Sequence, residues 1–118
     1  MEDISINFET RVSSYLNFLI SVKETRTYSE IADKCDIKPP GKIRKIHQIL
    51  LKITENDIID KKPMRSAVIV SKINKMNGHN IPHEDFFLFL SKNKIYNGEQ
   101  NIKSYTQFHR KLVKELFG

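Results

Sequence analysis

Apolar residues recur every three or four positions along three stretches of the chain, which is the spacing of one face of an α-helix. This pattern predicts helices over residues 6–22, 41–53 and 102–117. The inward positions are Phe8, Val12, Tyr15, Leu16, Leu19 and Ile20 in the first helix, Ile43, Ile46, Ile49, Leu50 and Ile53 in the second, and Tyr105, Phe108, Leu112, Val113 and Leu116 in the third.

A shorter helix is predicted between the first two. Thr27 followed by Glu30 has the spacing of a capping box, which predicts a helix over residues 28–35. The Pro39-Pro40-Gly41 segment breaks the chain after it, because a residue before proline is driven out of the α region. The two helices around this break form a helix-turn-helix segment.

Weaker patterns cover the rest of the chain. Residues 55–61 follow a cap-like Thr54 and are predicted as a further short helix or a bent continuation of the preceding one. The β-branched run at 66–71 predicts a buried extended segment. Pro82 is predicted in the first turn of a helix through the apolar block at 86–90.

Together these elements predict a mainly α-helical fold with at most a minimal β element, arranged as a small helix-turn-helix or winged-helix-like domain. The 118 residues contain no repeat, low-complexity tract or linker, so we expect one domain over residues 1–118.

Charge narrows the class of partner. Lys and Arg number 20 against 14 for Asp and Glu, which gives a net charge of +6 and favours an acidic partner. The predicted second long helix carries many of these cations on its outer side. They are Lys42, Arg44, Lys45, His47 or Gln48, and Lys52.

The single cysteine, Cys35, cannot form an internal disulfide, and we expect it to be a small buried residue in a reducing, cytoplasmic compartment. The start of the chain, Met1-Glu2-Asp3, lacks the basic and apolar regions of a secretory signal. Secretion by a route other than Sec stays open. No apolar run reaches the length of a membrane span, so we expect no membrane partner.

The order of several residues in the chain resembles that in a known protein family. Thr27-Tyr28-Ser29-Glu30-Ile31-Ala32, the proline-rich turn, the helix with Arg44 and the Val-Ile-Val-Ser at 68–71 resemble the DNA-binding domain of O6-alkylguanine-DNA alkyltransferases and alkyltransferase-like proteins. The resemblance covers about residues 5–92. It implies that Tyr28 helps to rotate a nucleotide out of the duplex and that Arg44 fills the vacated place.

The chain departs from this family in two places. The reactive Pro-Cys-His-Arg motif should fall near residues 62–67, where the sequence reads Lys-Pro-Met-Arg-Ser-Ala, so alkyl transfer is not expected. Alkyltransferase-like proteins also lack the cysteine and still bind DNA. The second departure is at residues 45–49, which include no Gly or Ala to allow close approach to a minor groove about 6 Å wide.

The histidines could bind a metal or an acidic group, but each also has an ordinary structural explanation. His79 and His83 with Glu84 and Asp85 could suit a metal, but their spacing favours a surface turn and a helix cap. His47 and His109 are expected on solvated basic faces, where a phosphate or an acidic side chain could use them. No catalytic motif or phosphate loop is present, so we expect a protein that is not an enzyme and has no metal or cofactor.

The block Phe86-Phe87-Leu88-Phe89-Leu90 surrounds a helix with apolar side chains, which predicts either complete burial or contact with a partner. In the second case Phe87 or Phe89 would belong to an exposed apolar patch.

The sequence therefore favours a non-catalytic protein-binding module, an adaptor or a stoichiometric inhibitor or regulator of a partner enzyme, such as an antagonist of a bacterial effector. Its partner would present an acidic surface, and a homodimer stays open. The expected contact residues are Lys42, Arg44, Lys45, His47, Phe87 and Phe89. The alternative is a DNA-binding protein of the alkyltransferase-like kind, with Tyr28, Lys42, Arg44, Lys45 and Lys52 on the DNA.

Overall fold

The computed structural model describes residues 4–118, with side chains from Phe8 onward. In this range the fold is mainly α-helical with minimal β structure, as predicted. The expectation about a secretory signal rests partly on residues 1–3, which lie outside the described range. In chain order the elements are α1 (Ile4–Val22), β1 (Arg26–Thr27), α2 (Tyr28–Lys34), α3 (Lys42–Ile59), a 3₁₀ helix (Arg65–Val68), β2 (Ile69–Val70), α4 (Lys72–Met76), α5 (Glu84–Lys92) and α6 (Ile102–Phe117).

The predicted capping box starts α2. The Glu30 N–H donates to the Thr27 hydroxyl at 3.2 Å, and the Thr27 N–H donates to the Glu30 carboxylate at 2.9 Å. This second hydrogen bond holds the pKa of Glu30 below its ordinary value. Two otherwise unpaired backbone donors are thus satisfied at the helix start, which explains why so short a helix begins at Tyr28.

The chain enters α3 through Gly41, whose φ of +70° favours glycine. The helix then runs without interruption to Ile59, so residues 55–59 continue it and do not form a separate helix. The cap-like Thr54 does not begin a new helix, because its hydroxyl donates to the Leu50 carbonyl one turn earlier.

The predicted extended segment at 66–71 is buried but mostly not a strand. Its first part belongs to the 3₁₀ helix, and only Ile69 and Val70 are extended, in parallel pairing with Arg26 and Thr27. The 3₁₀ turn forms because the Asp57 carboxylate accepts the Arg65 N–H and the Met64 carbonyl accepts the Ala67 N–H. Those bonds use backbone groups that a longer strand would have placed in a sheet.

Two hydrophobic clusters hold the elements together. The first is aliphatic and lies among α1, α2 and α3, whereas the second is rich in aromatic rings and lies between α5 and α6. Leu116 packs against both clusters and connects them. One predicted inward residue is misplaced, because Ile43 in the first turn of α3 is 43% exposed.

The apolar block on α5 is largely core. Phe86, Phe87 and Leu90 are buried, Phe89 is partly buried against the second cluster, and Leu88 is 44% exposed. Phe87 has no exposed surface, since its ring stacks on that of Tyr105 with centroids 4.1 Å apart. The prediction of Phe87 as an interface anchor is therefore wrong.

Two further predictions concern polar positions near α5 and α6. His83 caps α5 as predicted, since the Asp85 N–H donates to its Nδ1, and Pro82 therefore lies before the helix and not in its first turn. His109 was expected on a solvated face, but it is buried and its Nε2–H donates to the Ala67 carbonyl at 2.7 Å.

None of the helices in the described range combines the length and hydrophobicity that crossing a bilayer requires.

Candidate functional site

The two sides of α3 differ in composition. A helix turns about 100° per residue, so residues 44, 48 and 52 share one side and residues 46, 50, 53 and 57 the opposite side. The second group is buried and the first is exposed. We call the exposed side the outer face of α3. It comprises Arg44, Lys45, Gln48 and Lys52.

The cations on and beside the outer face differ in how they are paired. Lys42 lies on a flank and forms an ion pair with Asp33 of α2. Lys45 Nζ donates to the Lys38 carbonyl at 3.1 Å, and Lys52 Nζ lies 3.9 Å from a Glu55 carboxylate oxygen. The Arg44 side chain is exposed and makes no hydrogen bond or ion pair with any residue that the structure describes. Its guanidinium is therefore available to an outside acceptor.

His47 lies on the other flank and belongs to an aromatic cluster of Tyr28, His47 and His83. The rings of Tyr28 and His47 stack with centroids 4.2 Å apart, and the His83 ring meets His47 edge-on at 5.5 Å. The His83 N–H donates to the Tyr28 hydroxyl at 3.0 Å. These contacts hold together α2, α3 and the segment before α5.

Burial affects the ionisation of two members of this cluster, His47 and Tyr28. It lowers the pKa of His47, and the neighbouring His83 lowers it further, against a smaller opposing effect of Asp85. Burial also raises the pKa of Tyr28 above its ordinary value. The lowered pKa favours a neutral ring for His47, which lies half-buried beside the outer face, and its part in partner binding stays a prediction.

The interior beside Tyr28 is closed. The space lined by Tyr28, His47, Thr54, Ser66 and Phe86 has a volume of about 10 Å³, barely room for one water. The hydroxyls of Thr54 and Ser66 hydrogen-bond to each other across it. A nucleotide base that was rotated out of a duplex would not fit here in this conformation.

The sequence analysis missed a buried ion pair on the inner side of α3. Asp57 is 1% exposed and accepts hydrogen bonds from the Arg65 N–H, Nε–H and Nη2–H at 3.0–3.2 Å. The Arg65 Nη1 also donates to Ser13 of α1. This pair joins α1, α3 and the 3₁₀ helix. Its only sequence signal is an acid at the helix end followed eight residues later by an arginine, which is too common to predict it.

Among residues 4–118, no group of three or more His, Cys, Asp or Glu side chains is placed to hold a metal ion. Cys35 is buried at the end of α2, as predicted, and burial raises the pKa of its thiol. A thiol of this kind is a poor nucleophile at neutral pH.

Comparison of the chain with protein-family models, with curated proteins and with solved structures found no match. The likeness to alkyltransferase-like domains therefore stays a prediction from the residues that carry it.

Proposed function

We propose that the protein is a non-catalytic binding module and that the outer face of α3 contacts an acidic surface of a partner protein. The observation that carries the proposal is Arg44, an exposed guanidinium without a partner among the described residues, on the same helix face as Lys45 and Lys52. Arginine at such a position can bind a carboxylate through two parallel hydrogen bonds.

Apolar surface beside the cations supports a protein partner. Ile43, next to Arg44 in the first turn of α3, exposes 43% of its surface. A protein interface combines apolar contact with charge complementarity, whereas a phosphate backbone offers little for an isoleucine to contact. Ile43 lies about 100° around the helix from Arg44 and nearly opposite Lys52. It therefore replaces Phe87 only as an apolar residue at the Arg44 edge of the proposed contact, and Phe89 is too far buried to contribute more than an edge.

In the proposed role the module works as an adaptor or as a stoichiometric inhibitor that covers a docking surface of an enzyme. The closed interior beside Tyr28 favours recognition by surface contact, since the protein offers no depth there for a ligand to enter.

The experiment is an affinity capture from lysate of the source organism, with nuclease treatment, followed by reconstitution of the complex from purified components. The variant Arg44→Glu/Lys52→Glu reverses two charges on the outer face. Its matched control, Lys103→Glu/Lys111→Glu, makes the same charge change at exposed positions of α6. We expect a nuclease-resistant partner of fixed stoichiometry that the first variant loses and the second retains. Equal binding by all three proteins would refute the role of α3.

A second candidate is DNA binding of the alkyltransferase-like kind. It is favoured by the position of Arg44, Lys45 and Lys52 on the exposed side of the second helix of a helix-turn-helix segment. Such binding would use phosphate contacts and would weaken steeply as salt increases. Tyr28 does not support the base-rotating role, because its ring and hydroxyl are engaged by His47 and His83.

Fluorescence anisotropy with a labelled duplex separates the two candidates. A captured protein partner with only weak, non-specific duplex binding supports the first. Material that nuclease removes, together with tight duplex binding lost in Arg44→Glu/Lys52→Glu, would favour the second.

A further inference from the structure

A cleft lies on a different part of the molecule from the outer face of α3. It is an open groove bordered by Lys23 and Thr25 after α1, the loop after α4 and one side of α6, and its volume is about 430 Å³. This is within the range of small-molecule sites, which begin at about 300 Å³. Polar and charged residues that line the cleft include Lys23, Thr25, His79, Asn80, His109 and Arg110.

The charges around this cleft have one sign. Lys23 and Arg110 line it, and the side chain of neither forms an ion pair or hydrogen bond within residues 8–118. No Asp or Glu of the described residues lines it. Two cations without a facing carboxylate favour a ligand with acceptor oxygens and negative charge.

His109 supplies a second, independent indication. His109 is only 6% exposed. Its Nε2–H donates to the Ala67 carbonyl, because a carbonyl oxygen can only accept. The neutral ring therefore carries a lone pair on Nδ1, and no described residue donates to it. No fully buried side-chain nitrogen or oxygen in residues 8–118 lacks a partner, so Nδ1 keeps some accessible surface, and the cleft is an opening that His109 lines.

The walls also suit an organic ligand. Ile81, Val113 and Phe117 add apolar surface to the cleft. On another wall, Asn80 Nδ2 donates to the Thr25 hydroxyl at 3.2 Å, which leaves the Thr25 O–H free to donate to a ligand.

We infer that this cleft binds an organic phosphomonoester, with the phosphate between Lys23 and Arg110 and one proton shared between a phosphate oxygen and His109 Nδ1. A phosphomonoester has a second pKa of about 6, so near pH 6 about half of it is a monoanion that can donate that proton and still present acceptor oxygens to the cations. A carboxylate or a sulfate ester has no proton to donate. The apolar walls contact the organic group.

Burial lowers the pKa of His109 more than its hydrogen bond to Ala67 raises it, so the empty cleft holds a neutral ring. The other titratable or charged groups that face the cleft are Lys23, His79 and Arg110. A phosphomonoester that holds its second proton satisfies the neutral ring directly, whereas a sulfate ester must first bring a proton to Nδ1.

The test is an NMR titration at constant ionic strength with phenyl phosphate, inorganic phosphate and phenyl sulfate, which follows the imidazole nitrogens of His109. We expect phenyl phosphate to shift Nδ1 and to bind about tenfold more tightly than phenyl sulfate near pH 6, where the phosphate still holds its second proton. The difference should shrink as pH falls through the lowered pKa of His109, because the protonated ring then accepts either ester. Inorganic phosphate, without the phenyl group, should bind more weakly than phenyl phosphate.

Variants keep the test independent of folding. His109→Gln retains a donor for the Ala67 carbonyl but replaces the basic Nδ1 by an amide oxygen, which cannot share the phosphate proton in the same way, and Arg110→Gln removes one cation; each should weaken phenyl phosphate binding about tenfold. Lys114→Gln, an exposed position of α6 outside the cleft, is the matched control and should bind normally. Absence of any shift in the millimolar range, or equal weakening by Lys114→Gln, would overturn the inference.

Discussion

The outer and inner sides of α3 use polar groups in opposite ways. On the inner side, Asp57 is bound by Arg65, and Thr54 is paired with Ser66. On the outer face, Arg44 has no partner among the described residues, and Lys52 has only a distant one in Glu55. The buried side of α3 thus has paired polar groups, whereas its exposed side carries an arginine without a partner among the described residues.

This difference separates stability from recognition. Polar groups that are buried must be paired, because leaving one without a partner costs its full desolvation penalty. Exposed cations are hydrated and contribute little to folding, so they are free to be selected for binding. The inner and outer residues should therefore fail in different assays, and the predictions below test that separation.

The largest effect is expected at the buried ion pair. Arg65→Ala leaves the Asp57 carboxylate buried without its counter-ion and should lower the free energy of unfolding by about 3–5 kcal/mol. Urea denaturation measures this change. Arg44→Ala makes the same chemical substitution on the outer face and should change stability by less than about 0.5 kcal/mol. Similar losses in both variants would contradict the distinction between the two faces.

A smaller effect is expected at the hydroxyl pair. Thr54→Val leaves the Ser66 hydroxyl without its partner and should cost about 1–3 kcal/mol of unfolding free energy. Adding Ser66→Ala removes the orphaned group and should recover part of that loss, because both polar partners are then absent. A double-mutant cycle by denaturant unfolding measures the coupling, and strict additivity would show that the pair is not coupled.

The pH dependence of stability should also differ between a histidine on the flank of α3, where His47 lies, and a histidine on the outer face. Because burial lowers the pKa of His47, its contribution is fully present above the ordinary value of 6.5 and is lost as pH falls through the lower, folded value. The exchange His47→Gln/Gln48→His moves the imidazole to the outer face and should flatten stability against pH in this range. An unchanged profile would mean that other groups cause the dependence, His109 among them.

The smallest effect on stability is expected from charge reversal on the outer face. Arg44→Glu/Lys52→Glu should unfold within about 0.5 kcal/mol of the wild type, since neither side chain is buried. Thermal melts of this variant beside Lys103→Glu/Lys111→Glu check the expectation. A large loss for the α3 variant alone would mean that the outer face supports the fold.

Local signals in the sequence predicted much of this fold. The spacing of apolar residues predicted α1 and α6, and the capping-box spacing of Thr27 and Glu30 predicted the start of α2. Both signals depend on neighbours within one or two helical turns. The local sequence did not predict where α3 ends. A threonine at position 54 can cap a new helix or donate back to the Leu50 carbonyl, and the local sequence allows both.

The remaining errors come from contacts between residues distant in the chain. His109 is buried because of a carbonyl 42 positions away, and the Tyr28 hydroxyl is engaged by a backbone group 55 positions away. Five consecutive apolar residues on α5 could not reveal which of them meets Tyr105, so Phe87 was misassigned. Of the proposed contact residues, Arg44 and Lys45 were predicted from the sequence, whereas Ile43 was placed in the core.

The most direct test of the account is the affinity of the purified, nuclease-treated partner for three proteins, measured by titration calorimetry. These are the wild type, Arg44→Glu/Lys52→Glu and the charge-matched Lys103→Glu/Lys111→Glu. We predict fixed stoichiometry, a loss of at least about a hundredfold for the first variant and near-normal binding for the second. Equal weakening in both variants would show attraction by net charge alone and would contradict recognition by the outer face of α3.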